Sequence, residues 1–188
     1  LSAPESTAGL ARRLRTLALV LSGFHLLGYG AVVALRVGHP YALEWQEGAM
    51  VDQVRRLLAG LPLYGKPALE FTPQIYAPLY FHVSALASRV LGVGFLPLRL
   101  VSVAASLGCL ALIHAFARRE TGDRGAGLLA AGLFAACYAI SGAWLDIGRV
   151  DSLFLFFALG AIHVLRGDTT ARGALVSAAL FSLAFLTK

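Results

Sequence analysis

The sequence predicts an all-α protein that threads a membrane several times, and three observations carry that prediction. Of the 188 residues, 58% are apolar and only 14% are charged, against about 45–50% and about 25% in soluble domains. The apolar residues fall in charge-free runs: 20 residues between Arg15 and Arg36, 18 between Arg99 and Arg118, and 21 between Arg124 and Asp146. A helix needs roughly 20 such residues to cross bilayer hydrocarbon. The third observation is where the charge sits. The net charge is +6, and arginines gather in short segments between the runs, as cytoplasmic loops do. A mean hydropathy of +0.74 excludes a soluble domain and a disordered chain. No basic surface interleaved with stacking aromatics is present, so nucleic acid is not an expected partner.

The elements follow in order. The first span is expected over residues 16–37, with Arg12, Arg13 and Arg15 holding its start in the cytoplasm. Its apolar run exceeds the roughly 7–15 residues of a signal-peptide core, so it reads as an uncleaved span. Residues 38–96 form a long outer loop carrying amphipathic juxtamembrane helices. Within it, 44–60 (EWQEGAMVDQVRRLLAG) places Met50, Val51, Val54, Leu57 and Leu58 at helical spacing. Acids open that segment, Arg55 and Arg56 come late, and Gly60 follows as a stop. A Pro- and Tyr-rich connector leads to residues 76–95, expected to lie in or dip into the outer interface. Were that stretch to cross, every later loop would change side. Residues 97–117 descend, and Arg118, Arg119 and Arg124 lie in the cytoplasm. Residues 125–145 ascend, 152–165 descend to Arg166 and Arg172, and 173–188 ascend again. Six of the ten acids (Glu44, Glu47, Asp52, Glu70, Asp146 and Asp151) then fall on the outer side. The chain opens at Leu1 without Met and closes at Lys188 on an apolar run. All 188 residues are therefore expected to be the N-terminal part of one longer transmembrane domain, with its remainder missing.

Several charged residues are candidates for chemistry. Glu47 lies on the line of Val51, Val54 and Leu58, one turn toward the helix start, where a carboxylate is costly unless paired or used. It also reads as a first-turn acid favoured by the helix dipole. Glu44 is a second candidate, while Asp52 faces away. Only 14 residues, Ser152 to Leu165, separate Asp151 from Arg166, about 21 Å of helix against about 30 Å of hydrocarbon, which places Asp151 inside the outer leaflet if Arg166 sits at the cytoplasmic interface. Ionisable groups at that depth face a cavity or a partner, although Asp151 also suits the start of the helix behind it. Asp146 and Arg149 are spaced to pair with each other. Lys188 also ends short of the outer surface, where it can snorkel or hold a lipid phosphate. Arg149 and Lys66 compete for that phosphate. Tyr76 and Tyr80, with Tyr64, Phe71 and Phe81, could hold a sugar or an isoprene unit, but an interfacial aromatic belt is the favoured reading. His25, His114 and His163, single in the spans, read as packing residues; His39 reads as solvated, and His82 lies in the interfacial segment. Cys109 and Cys137 sit in apolar runs as small hydrophobes, with neither a disulfide framework nor zinc spacing.

These pieces, taken in order, resemble a known family. An acid opens the amphipathic helix that ends LLAG-LPLY. Pro-Leu-Tyr-Phe opens the next helix. The turn ARRETGDRGAGLLAA joins two spans, and an acid stands in GRVDSLFLFF. The chain is similar to the N-terminal part of integral-membrane glycosyltransferases that use polyprenyl-phosphate sugars, the superfamily of protein O-mannosyltransferases and lipid A aminoarabinose transferases. The resemblance implies an acid at the start of the first outer loop as catalytic base, here Glu47 or Glu44, and a second outer acid, here Asp151. Many relatives have Asp-Glu where this chain has Gln46-Glu47. Some carry a Lys before the proline of the interfacial helix; here Tyr76-Ala77-Pro78 stands instead, which leaves the donor phosphate to Lys188 or Arg149. No cofactor is expected beyond the lipid-linked sugar donor, and metal dependence stays open. The expected partners are membrane lipid, that donor, and a glycan, lipid or protein acceptor. The expected location is a bacterial cytoplasmic (inner) membrane with the active site on the outer side. A transporter or flippase of a lipid-linked or small polar substrate is the alternative, since intramembrane charges also mark transport paths.

Overall fold

The computed structural model describes residues 3–69 and 71–188, with the side chains of 3–6 outside the description. Glu70, one of the expected outer acids, lies outside the described residues. Seven helices are present among them: α1 (Ala3–Arg36), α2 (Trp45–Leu58), α3 (Leu79–Leu91), α4 (Phe95–Thr121), α5 (Arg124–Ala136), α6 (Asp151–Gly167) and α7 (Ala171–Thr187). The fold is all-α, and α1 over Thr7–Arg36 and α4 are long and apolar enough to cross a membrane.

The long helices form a row. α5 packs between α1 and α4, α4 between α5 and α6, and α6 between α4 and α7. α2 and α3 lie against each other and against α4, and α3 also touches α7. Close approach is built into α5, where Gly132 meets Ser22 of α1 with no room for a Cβ. Broad apolar surface stays exposed along the row, including Phe24, Leu27, Leu35, Leu107, Leu133 and Phe185. Water penalises such a surface, whereas lipid does not.

The ends of the row differ. At one end Arg15 pairs with Asp123 at 2.6 Å, and Arg166 grips Glu120 through two bonds of 3.0 Å. Gly122, at φ +70°, ends α4 there. Asp123 then caps α5 by accepting the Gly125 amide at 2.8 Å. This is the basic end. The other end holds the close of α1, all of α2 and α3, the start of α4 and the residues before α6. Its core is Met50, Val51, Val54, Tyr80, Phe81, Leu98, Val150 and Leu153. α3 begins beside α4, with the Tyr80 hydroxyl donating to the Leu98 carbonyl at 3.2 Å. It ends at Gly92 (φ +83°), just before α4 starts at Phe95. Both ends of α3 therefore lie at the same end of the row.

Two boundaries differ from expectation. α1 extends back to Ala3, well before the predicted start at residue 16. The helix predicted over 125–145 stops at Ala136. Residues 137–150 fold into successive turns, with Gly142 at φ +86° and Ala143 at φ 57°. Tertiary bonds hold these turns. The Tyr138 hydroxyl donates to Asp146 at 2.6 Å, and Arg36 reaches Tyr138, the Ala143 carbonyl and Asp146. A local helix cannot form that set, so the run bends despite its apolar character.

Candidate functional site

Glu44 is the N-cap of α2. One oxygen accepts the Gln46 amide at 2.9 Å, as helix starts prefer. The other faces Arg149, 3.2 Å away. Arg149 reaches back with its Nε to Asp151 at 2.9 Å, and its guanidinium lies 4.2 Å from the centre of the Trp144 ring. Asp151 opens α6 and Lys188 closes α7, so the antiparallel α6–α7 hairpin brings them to the same end. The Lys188 ammonium donates to Asp151 at 2.6 Å and lies near the Phe154 ring. The result is an alternating chain of charge: Glu44, Arg149, Asp151, Lys188. Arg149 is 7% exposed, the two acids 16% and 17%, and Lys188 44%. The group is shielded from bulk solvent but opens at the lysine.

Glu47 is sealed. It is fully buried on the same face as Met50, Val51 and Val54, as the helical spacing predicts. Its Oε1 accepts from Arg99 Nε at 2.9 Å and the Gly148 amide at 2.7 Å. Its Oε2 accepts from Arg99 Nη2 at 2.8 Å and the Leu43 amide at 2.7 Å. Burial raises its pKa, but the Arg99 bond and the Gly148 and Leu43 amides outweigh it and hold the carboxyl below the usual range. Asp146 shows the opposite balance. Burial pushes its pKa up against the attraction of Arg36, and its Oδ2 has no partner.

The structure thus brings Glu44, Arg149, Asp151 and Lys188 into one group, with Glu47 one layer beneath. Tyr76 lies at its edge, donating to the Gln46 side chain at 3.3 Å. Tyr80 is elsewhere: fully buried, its hydroxyl bonded to Leu98 and Ser102 in the α3–α4 packing. Lys66 is exposed in the connector. Asp146 and Arg149, expected to pair together, pair instead with Arg36 and with the two site acids. Sequence reasoning missed Arg99, which donates to Glu47 and to the carbonyls of Arg36, His39 and Tyr41. Its one signal was a lone cation near the start of a helix that carries no other charge before Arg118, at the level of the loop acids. Trp144 was missed too.

This arrangement defines a membrane-type helical protein with a half-buried ionic site at one end. Residues 73–188, well over half of the chain, match the dolichyl-phosphate-mannose-protein mannosyltransferase family, and the chain belongs to it. It is a family of glycosyltransferases that use polyprenyl-phosphate sugars, which decides for an enzyme over a transporter. Comparison with curated proteins and with solved structures returns no match. The matched segment includes Tyr76, Arg99, Arg149, Asp151 and Lys188, while Glu44 and Glu47 precede it.

Proposed function

We propose that the chain carries the catalytic end of a glycosyltransferase that moves a sugar from a polyprenyl-phosphate donor to an acceptor hydroxyl at the outer face of the membrane. One observation carries the reading: the alternating group of Glu44, Arg149, Asp151 and Lys188, half-buried at the end of the row opposite the basic loops. α1, α4, α5, α6 and α7 cross the bilayer, and the basic end faces the cytoplasm by the positive-inside rule. α2 and α3 rest at the outer interface. The isoprenoid tail then stays in lipid beside the exposed helix faces while the sugar phosphate meets the charged group. A bacterial cytoplasmic membrane fits this orientation.

The chemistry divides among these residues. The acceptor oxygen attacks the anomeric carbon as its proton passes to a base. The bond from that carbon to the phosphate oxygen breaks, with inversion. Arg149 and Lys188 meet the charge of the departing polyprenyl phosphate. Glu47 has four bonds and no exposure, so no acceptor hydroxyl reaches it. Asp151 is neutralised by two cations and is the poorer proton acceptor for it. Glu44 faces one cation and takes the role of base, while Asp151 holds Arg149 and Lys188 in register. Tyr76 borders the sugar position. The acceptor is a glycan, lipid or protein hydroxyl.

The test uses the full-length protein in membrane vesicles with radiolabelled polyprenyl-phosphate sugars. Loss of lipid-linked label with wild type, and its retention with Glu44→Gln at equal expression, is the expected result. Equal turnover by the two would remove Glu44 from the mechanism. No turnover by correctly inserted wild type across the donor panel would overturn the reading.

A further inference from the structure

We infer that Arg99 and Glu47 are a positioning pair that sets the separation between Glu44 and Arg149 without touching substrate. The inference rests on the reading of Glu44 as base and Arg149 as phosphate ligand. Its observation is a juxtaposition. The two backbone amides that Glu47 accepts belong to Leu43 and Gly148, and the next residue along the chain is Glu44 in one case and Arg149 in the other. One buried carboxylate therefore pins both backbones one peptide away from the two groups that must face each other. Those groups lie 3.2 Å apart.

Arg99 fixes the carboxylate in turn. Its Nε and Nη2 hold the two Glu47 oxygens, Nη1 holds the carbonyls of Arg36 and His39, and Nη2 also holds that of Tyr41. Every N–H of the guanidinium is used, in a planar fork that lysine cannot copy. The chain from α1 into the Glu44 loop is thereby tied to α4. The other side is tight as well: a Cβ on Gly148 would lie 3.1 Å from the Leu98 Cβ and 3.4 Å from the Glu47 carboxylate.

The attraction between the two charges does not by itself call for this pair. Well-packed apolar residues can replace a buried ion pair at no loss. An apolar pair would fill the space, but it offers no acceptor for two amides and no donor for three carbonyls. The geometry of the reacting groups is what the ions supply, and a misplacement of about 1 Å can cost on the order of 100-fold in rate.

The experiment measures kcat, donor KM and the pH profile of kcat in the full-length protein, normalised to the monodisperse folded fraction. The variants are Glu47→Gln, Arg99→Lys, Gly148→Ala and Glu44→Gln. Glu47→Gln and Arg99→Lys should lower kcat roughly 10- to 100-fold with a smaller rise in KM, and keep the acid limb of the profile because the base is intact. Gly148→Ala, which leaves every charge in place, should lower kcat in the same direction and decides the matter if the charge variants do not fold. Glu44→Gln should abolish the acid limb. Wild-type kcat and KM in folded Glu47→Gln and Arg99→Lys, or in Gly148→Ala alone, would overturn the positioning role. Loss of the acid limb in Glu47→Gln would overturn it too, by making Glu47 the base. An unchanged Glu44→Gln profile would instead defeat the reading on which the inference rests.

Discussion

Glu44 and Glu47 stand one helical turn apart and meet opposite surroundings. Glu44 keeps one face toward a half-buried opening, and its replacement by Gln should cost on the order of 10²–10⁴ in kcat, the usual worth of a general base. Glu47 spends both oxygens on the fold. Breaking its pair by Glu47→Ala or Arg99→Ala leaves a buried charge alone and should destabilise by about 3–5 kcal/mol, read from chemical or thermal unfolding in detergent. The pH dependence has a definite sign. The folded pKa of Glu47 lies below its unfolded value, so its contribution is present above the ordinary carboxylate range and is lost as pH falls through the folded value. The stability gap between wild type and Glu47→Gln should therefore shrink on acidification; a gap that widens would reverse the assignment. The burial of Glu47 was legible, because its spacing put it on the line of Val51, Val54 and Leu58. Its partner was not, because Arg99 is 52 residues away and nothing local marks a guanidinium as a clamp rather than the edge of a span.

At the level of elements, apolar runs and their punctuation located the helices well where the punctuation is local. Gly60 stands at φ +72° after α2, and Gly122 and Asp123 separate α4 from α5. The stretch 137–145 carries no charge or proline and reads as helix, yet it turns. What bends it is the bond set among Arg36, Tyr138 and Asp146, residues brought together only by packing. Scattered glycines are expected at helix contacts, but which glycine meets which helix was equally invisible. Gly132 faces the backbone and Cβ of Ser22, so Gly132→Val should force α1 from α5 and cost about 1–3 kcal/mol in thermal unfolding. Gly108 faces only the ring of Phe156, which can rotate, and Gly108→Ala should cost less. Equal losses in the two would mean that ring movement gives no relief there.

Across the whole molecule, the order of ends was legible because arginine placement repeats at every second turn of the chain. Both ends of α3 lie at one end of the row, and whether residues 76–95 return to the side they left is a question for labelling. Impermeant thiol labelling tests the orientation that follows. With Cys109 and Cys137 replaced, single cysteines at Trp45 and Val93 should label in intact cells. One at Thr169 should label only after permeabilisation. Labelling at Val93 that needs permeabilisation would turn α3 into a span and reverse everything after it.

The buried clamp also imposes a timetable on synthesis. Glu47 leaves the ribosome 52 residues before Arg99 and 101 before Gly148. At roughly 5–20 residues per second, several seconds pass in which the nascent loop carries an acid that has neither its cation nor its second amide. The site is therefore the last part of this segment to close, and it waits on the α6–α7 hairpin. Ribosomes stalled before residue 148 should display this loop to proteases that the finished protein resists.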